Sequence, residues 1–250
     1  MKWLALGVLI QIMADAVVGS RLLMLAMRTR RLPEACLGVS TLLLGVFGYP
    51  LAIAARRGLG GSPEADGALL ALGLALQNLA CLALWVATWQ VFRPRDRGAA
   101  ALVAVAAALL LVSVPGQAWG SGFAGARSEG LYYWLGFTGR ALAFVWSAGE
   151  ALRFWRMLRR RRSLGLADPV VTDRFRLWAI FCTAVALGFA VFALAKLMGV
   201  NPGESIGVLA ATSAVGLVSG VSLWLAFVPP RAYLRRVRGR AEVGLPVQSV

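Results

Sequence analysis

The chain has no histidine, only three cysteines and only 11 acidic residues among its 250 positions. Without histidine it lacks both the commonest metal ligand and the usual general base. Cys36, Cys81 and Cys182 fall in or at the ends of apolar runs, which favours neither a disulfide framework nor a thiol metal site. There is also no Gly-Lys-Ser phosphate loop, so we expect no enzymatic activity, no cofactor and no metal.

What the sequence does contain is apolar residues, which make up 59% of the chain against 15% charged residues. A helix that crosses a bilayer needs about 20 predominantly apolar residues. Seven runs meet this need, at approximately 3–27, 36–54, 67–92, 98–117, 131–154, 175–197 and 205–228. Because the runs are continuous and do not alternate apolar with polar residues, they predict helices and not a barrel.

The fold class predicted from these runs is all-α, as a polytopic membrane protein with one seven-helix domain over 1–250. Positions 229–250 are predicted to form a basic cytoplasmic tail. The first run contains Asp15 and Arg21 and has no small-residue cleavage site, so we expect a retained helix and not a removed signal peptide.

The arginines predict the orientation of the chain, because basic residues in short loops stay on the cytoplasmic face. Most of them follow the first, third, fifth and seventh runs. The opposite side has only Lys2, Arg56, Arg57, Arg127 and Lys196. The N-terminus is therefore predicted outside and the C-terminus inside, with the protein in the inner (plasma) membrane.

The net charge of +15 does not point to nucleic acid, since the basic residues gather at one membrane face and no soluble fold would present them. Arginines at 159–162 and in the basic tail instead favour attraction to anionic lipid at the cytoplasmic face. A cytoplasmic protein and an unidentified small molecule are the other partners we consider.

Two runs end alike, which suggests an internal repeat. The third has Leu84-Trp85 before Arg93, and the seventh has Leu223-Trp224 before Arg231. Units formed by the first three and last three runs around a connecting fourth would give a 3+1+3 arrangement, as in many transporters. Shared membrane composition is the alternative explanation.

In topology and in this repeat, the chain resembles the architectural class of seven-helix bacterial membrane proteins that includes sugar-type transporters and opsin-like receptors. The resemblance is architectural, by topology only, and covers the whole chain. No family motif accompanies it, because the seventh run has no lysine for a retinal Schiff base and no Asn-Pro-x-x-Tyr sequence.

Polar residues at membrane depth are the candidate functional residues, since a charge there needs a partner or a water-filled path. Asp15 lies inside the first run, with Gln11 one turn before it on the same helical face. Arg140 lies near the middle of the fifth run and is predicted to pair with Asp15. A ligand or proton site and a hydrogen-bonded structural aspartate remain alternatives for Asp15.

Gln77 and Asn78 lie in the middle of the third run, where amides commonly bond across helices. Asn78 could also orient a ligand. Arg21 and Glu150 are a candidate inner ion pair, although Arg21 could reach the interface and Glu150 could instead meet Arg153.

Two further patterns concern packing. Gly216 and Gly220 in the seventh run form a small-xxx-small motif, which predicts a close helix contact. Pro50, near the end of the second run, predicts a kink there.

These features favour a transporter of a small anionic or lipophilic molecule with a polar site at the midplane. A receptor-like sensory or partner-binding protein is the alternative, and a membrane scaffold or assembly factor is a third.

Overall fold

A computed structural model describes residues 2–120, 122–123, 130–200 and 205–242, with side chains for 6–120, 122–123, 130–200 and 205–239. Arg127, the side chain of Lys2 and the end of the predicted tail at 243–250 lie outside the described residues. Every regular element in the described part of the chain is helical. The predicted all-α class is confirmed.

The helices follow the predicted runs. They are α1 (Lys2–Thr29), α2 (Leu32–Thr41), a π-helical segment (Leu42–Gly48), α3 (Tyr49–Arg56), α4 (Pro63–Phe92), α5 (Arg97–Gly120), α6 (Leu131–Ser163), α7 (Pro169–Leu197), α8 (Ile206–Phe227) and α9 (Arg231–Glu242).

Six helical segments in the described residues are long and apolar enough to cross a bilayer. They are Leu6–Thr29, Leu32–Arg56, Pro63–Phe92, Arg97–Gly120, Pro169–Leu197 and Ile206–Phe227. Helices of this kind indicate an integral membrane protein. The predicted fifth run, α6, is long enough at 33 residues, but it carries Arg140, Glu150 and a basic end that lower its hydropathy. The count of seven spans and the orientation therefore stay predictions.

The chain divides into two compact units, whose boundaries fall inside α1 and α6. The central unit is Asp15–Phe144. The terminal unit comprises Met1–Ala14 and Val145–Val250.

In the central unit, α4 is the helix against which the others pack: it contacts α2, the π-helical segment, α3 and α5. A small apolar core consists of Ala52, Ala55, Leu70, Leu74 and Phe123. Gly73 permits the close approach of α4 to α3, since a Cβ there would lie 2.9 Å from the backbone nitrogen of Ala52.

The start of α4 follows from its sequence. The Ser62 hydroxyl accepts a hydrogen bond from the backbone N–H of Ala65, and Pro63 occupies the first turn, where its missing N–H costs nothing. Asp168 and Pro169 begin α7 in the same way, with the Asp168 carboxylate accepting from the N–H of Val170.

A π-helical segment ends just before Pro50, where a kink is predicted, and the kink itself stays a prediction. The backbone N–H of Tyr49 donates to the carbonyl of Leu44, five residues back, as in a π-helix. Gly45 in this segment is buried, and a Cβ there would overlap the carboxylate of Asp15. The π-helical segment therefore packs directly against α1 at its buried acid.

In the terminal unit, α7 packs against α8 and α9, while residues 7–11 of α1 pack along α8. A Cβ at Gly216 would lie 2.6 Å from the carbonyl oxygen of Gly7, and one at Gly220 would lie 3.1 Å from Cα of Gln11. The close contact predicted from Gly216 and Gly220 is confirmed.

We predict that Gly216→Ala lowers the stability of the folded protein by about 1–3 kcal/mol, because the added methyl group would press on backbone atoms that cannot move aside. Gly149→Ala in α6 is the matched control, since a Cβ there meets nothing within 4 Å. That change should leave stability unchanged or raise it by up to about 1 kcal/mol. Thermal unfolding in detergent measures both, and equal effects of the two substitutions would contradict this packing.

Candidate functional site

Three helices of the central unit bring buried polar side chains together at membrane depth. Asn78 lies in the middle of α4, Ser113 in the second half of α5, and Arg140 nine residues after the start of α6. Their side chains are 6%, 0% and 3% exposed, respectively. This group, which we call the Arg140 cluster, is the candidate site.

The hydrogen bonds of the cluster converge on Asn78. Nη1 of Arg140 donates to Oδ1 of Asn78 at 2.6 Å. Nδ2 of Asn78 in turn donates to the carbonyl of Leu110 at 2.8 Å and to Oγ of Ser113 at 2.7 Å. Both ends of the amide are therefore used, so the orientation of Asn78 is fixed by α5 on one side and by the guanidinium on the other.

The charge of Arg140 is not balanced by a carboxylate, since no ion pair joins it to an acidic side chain of the described residues. Its Nε is buried and has no hydrogen-bond partner there either. An arginine keeps its charge at any ordinary pH, and a buried charge without a counter-charge is costly. The Arg140 cluster thus contains an unmatched cation with spare hydrogen-bonding capacity.

Glycines give the guanidinium its space. A Cβ at Gly136, one turn before Arg140, would lie 2.6 Å from Oγ of Ser113 and 3.4 Å from Nη1 of Arg140. At Gly139 it would lie 2.9 Å from a methyl carbon of Leu110. Side chains at these two positions would therefore force α6 away from α5 and separate the members of the cluster.

Aromatic and thiol groups surround the cluster. Tyr49, Cys81 and Tyr133 lie within electrostatic range of the guanidinium. Cys81 is fully buried one turn after Asn78 on α4, and Tyr133 is also buried. The rings of Tyr133 and Phe137 lie 5.8 Å apart on α6. The surroundings are thus apolar with a few weakly polar groups, which strengthens electrostatic attraction.

Gln77, next to Asn78 in sequence, has a different partner. Its Nε2 donates at 3.0 Å to the carbonyl of Gly48, at the end of the π-helical segment. The two neighbouring amides of α4 therefore connect it to different elements: Gln77 to the π-helical segment of the second span, and Asn78 to α5 and α6.

The predicted ion pair between Asp15 and Arg140 is wrong for the described structure. The carboxylate of Asp15 packs against Gly45 of the π-helical segment and is 4% exposed, whereas Arg140 bonds to Asn78. Similar depth in the membrane suggested the pair, but depth does not determine which helices are neighbours. Asp15 and Arg140 therefore belong to the same unit, but these two side chains contact different residues.

The remaining predicted residues lie elsewhere. Gln11 belongs to the terminal unit, where it accepts a hydrogen bond from the hydroxyl of Ser219 on α8. Arg21 is exposed in the central unit. Glu150 lies 3.7 Å from the guanidinium of Arg153, the local alternative considered for it. The Arg21–Glu150 ion pair stays a prediction.

Two members of the polar network were not predicted from the sequence. Ser113 is fully buried between Asn78 and the Leu110 carbonyl, and Gln117 donates to the carbonyl of Ser113 at 3.1 Å. The available signal was their spacing of four residues, which puts them on one face of an otherwise apolar α5. Beside Arg140, the indole N–H of Trp85 also donates a hydrogen bond to the carbonyl of Gly139 at 3.1 Å.

Comparison with known proteins adds no family to this geometry, since no protein-family model, no curated protein and no solved structure matches the chain.

We predict that Asn78 and Arg140 are energetically coupled. Asn78→Leu alone should lower stability by about 2–3 kcal/mol, because the buried guanidinium loses its acceptor. In an Arg140→Met background the same change should cost about 1–3 kcal/mol less, since no charge is then left without a partner. A double-mutant cycle by thermal or denaturant unfolding measures the coupling, and strictly additive effects would show that the hydrogen bond contributes nothing.

Proposed function

We propose that the protein is an inner-membrane transporter of a small anion, and that Arg140 binds the anion. The observation that carries this proposal is the buried guanidinium of Arg140, which no carboxylate of the described residues balances and whose Nε lacks a partner. Charged groups held inside a membrane domain despite their cost commonly mark the path of a substrate or ion.

The donors of Arg140 suit an oxyanion. A guanidinium presents five N–H groups in a planar fork that matches a carboxylate or phosphate. Asn78 occupies an Nη1 donor at 2.6 Å, so the Nε side of the fork remains for a ligand oxygen. A small carboxylate would satisfy that donor and neutralise the charge together, and it is the substrate class we favour.

Asn78 and Ser113 have a positioning role in this proposal. They hold the guanidinium in one orientation through α5, so that the fork is in place before the anion arrives. The proposed site also lies beside the second span, because Gln77 connects α4 to the end of the π-helical segment. A π-helical segment breaks the regular bonding of a helix and is frequent at functional sites, which makes it our candidate hinge.

Asp15 has a separate proposed role. It is a buried acid against Gly45 of the π-helical segment, and it can take up and release a proton where Arg140 cannot. We propose that Asp15 carries a proton that accompanies the anion. A change in its charge would act on the π-helical segment through the contact at Gly45.

The experiment is uptake into proteoliposomes. Purified protein is reconstituted, and the uptake of labelled acetate, lactate, succinate, phosphate and sulfate is compared with that of protein-free vesicles. We predict that at least one carboxylate enters the vesicles. Arg140→Met should reduce the uptake of that carboxylate at least tenfold, because the bound anion would lose its counter-charge. The folded state should survive this substitution, since methionine fills similar space without a buried charge.

Arg57→Gln is the matched control, because Arg57 is an exposed arginine of the same unit. It should leave uptake unchanged. If none of the five anions enters, or if Arg140→Met transports as well as the unsubstituted protein, the proposal is wrong.

A further inference from the structure

An open apolar groove runs along the terminal unit, between the first half of α1 and the second half of α8. Its volume is about 340 Å³, within the range of roughly 300–1,000 Å³ typical of small-molecule sites. Its main lining residues are Leu9, Ile10, Met13, Gly220, Trp224 and Leu225. The lining is almost wholly apolar, so the groove suits a hydrocarbon chain.

The depth of the groove assigns it to one leaflet. Gly220 lies seven residues before the end of α8 at Phe227, or about 10 Å by helical rise. Half of a bilayer core is about 15 Å thick. The groove therefore lies within the leaflet at the C-terminal end of α8, open to the acyl chains of that leaflet.

A basic helix, α9, follows at the same end. Only three residues separate it from α8, and its exposed side chains include Arg231, Arg235, Arg236 and Arg238. Arg231 and Arg235 lie one turn apart on one face, while Leu234 and Val237 lie against α7 and α8 on another. The apolar side of α9 is thus covered by protein, and its arginines remain free to meet a partner.

One hydrogen bond holds α9 against α7. The Tyr233 hydroxyl donates a hydrogen bond to the Asp173 carboxylate on α7, and Asp173 also lies 2.7 Å from the guanidinium of Arg176. Burial, and then the Asp173 carboxylate, raise the pKa of Tyr233, so the hydroxyl keeps its proton at neutral pH. The helix therefore packs against the start of α7.

Groove and basic helix adjoin at one residue. Leu225 lines the groove on one side and packs beneath Tyr233 and Leu234 of α9 on the other. A molecule that fills both places needs an apolar chain joined to an anionic head at the membrane surface. A phospholipid has this form, and an arginine fork binds its phosphate well.

We propose that the terminal unit binds an anionic phospholipid of this leaflet, with an acyl chain in the groove between α1 and α8 and the phosphate on Arg231 and Arg235. The site is independent of the Arg140 cluster, whose residues belong to the central unit. The position of the arginines four and eight residues beyond the end of a membrane helix at Phe227 favours lipid over a soluble protein or nucleic acid.

The test is native mass spectrometry of the full chain in detergent, with equal amounts of phosphatidylglycerol and phosphatidylcholine that carry identical acyl chains. The unsubstituted protein should bind phosphatidylglycerol preferentially. Arg231→Gln/Arg235→Gln should reduce that preference about tenfold or more, given two lost phosphate contacts. Arg153→Gln/Arg156→Gln removes two exposed arginines of α6 and is the charge-matched control.

The groove has its own variant and control. Val221 lines it and is 44% exposed, so Val221→Trp should fill it and reduce the binding of both lipids, whereas Val218→Trp, 45% exposed but not part of the lining, should not. Equal binding of the two lipids, or an equal loss in the α6 control, would overturn the proposal. The proposal would also be overturned if the Val221→Trp protein still bound lipid while the mass of a dimer, present for the unsubstituted protein, disappeared. The groove would then bind a second copy of the chain.

Discussion

The hydrogen bond between Arg140 and Asn78 is the interaction on which the central unit depends. A guanidinium cannot shed its charge, and inside an apolar bundle it must find acceptors or unfold its surroundings. Asn78 supplies one acceptor at 2.6 Å, and α5 holds Asn78 in place through Ser113 and the carbonyl of Leu110. Three helices are thereby joined through one amide, while no carboxylate of the residues that the structure describes balances the positive charge. Such a site is more easily explained by a ligand than by stability, because an apolar residue at position 140 would pack at lower cost.

Small residues make this arrangement possible. Gly136 and Gly139 allow α6 to approach α5 closely enough for the hydrogen bonds to form, and Gly73 does the same for α4 and α3. In the terminal unit, Gly7, Gly216 and Gly220 bring α1 onto α8. Lipid is as apolar as leucine, so membrane helices gain little from apolar burial and associate through such close contacts and through buried polar bonds.

The helices were predictable from the sequence because membrane spans are encoded locally, in runs of apolar residues with arginine and proline at their ends. Residues such as Asn78, Gln77 and Arg140 were recognisable as buried polar groups for the same reason. Which of them meet was not predictable, since the neighbours of a helix depend on contacts among distant parts of the chain. Asp15 illustrates the difference: its depth suggested Arg140, whereas its contact is Gly45. Ser113 was overlooked because a serine in a helix is ordinarily unremarkable, and only its position opposite Asn78 gives it a role.

The most direct test of an anion path at Arg140 uses a thiol that the chain already has. Cys81 is fully buried, one turn from Asn78 and within electrostatic range of Arg140. In a Cys36→Ala/Cys182→Ala protein, a membrane-impermeant methanethiosulfonate reagent would be applied from each side of the membrane. The single-cysteine protein that retains Cys182, which is equally buried in α7, is the control.

A transporter with an anion site at Arg140 predicts that Cys81 reacts from both sides, that a transported carboxylate slows the reaction, and that Cys182 stays unreactive. Reaction from one side alone would instead favour a receptor that senses the anion. No reaction of Cys81 from either side would contradict anion transport through this site, because the Arg140 cluster would then be closed packing with no path for a ligand.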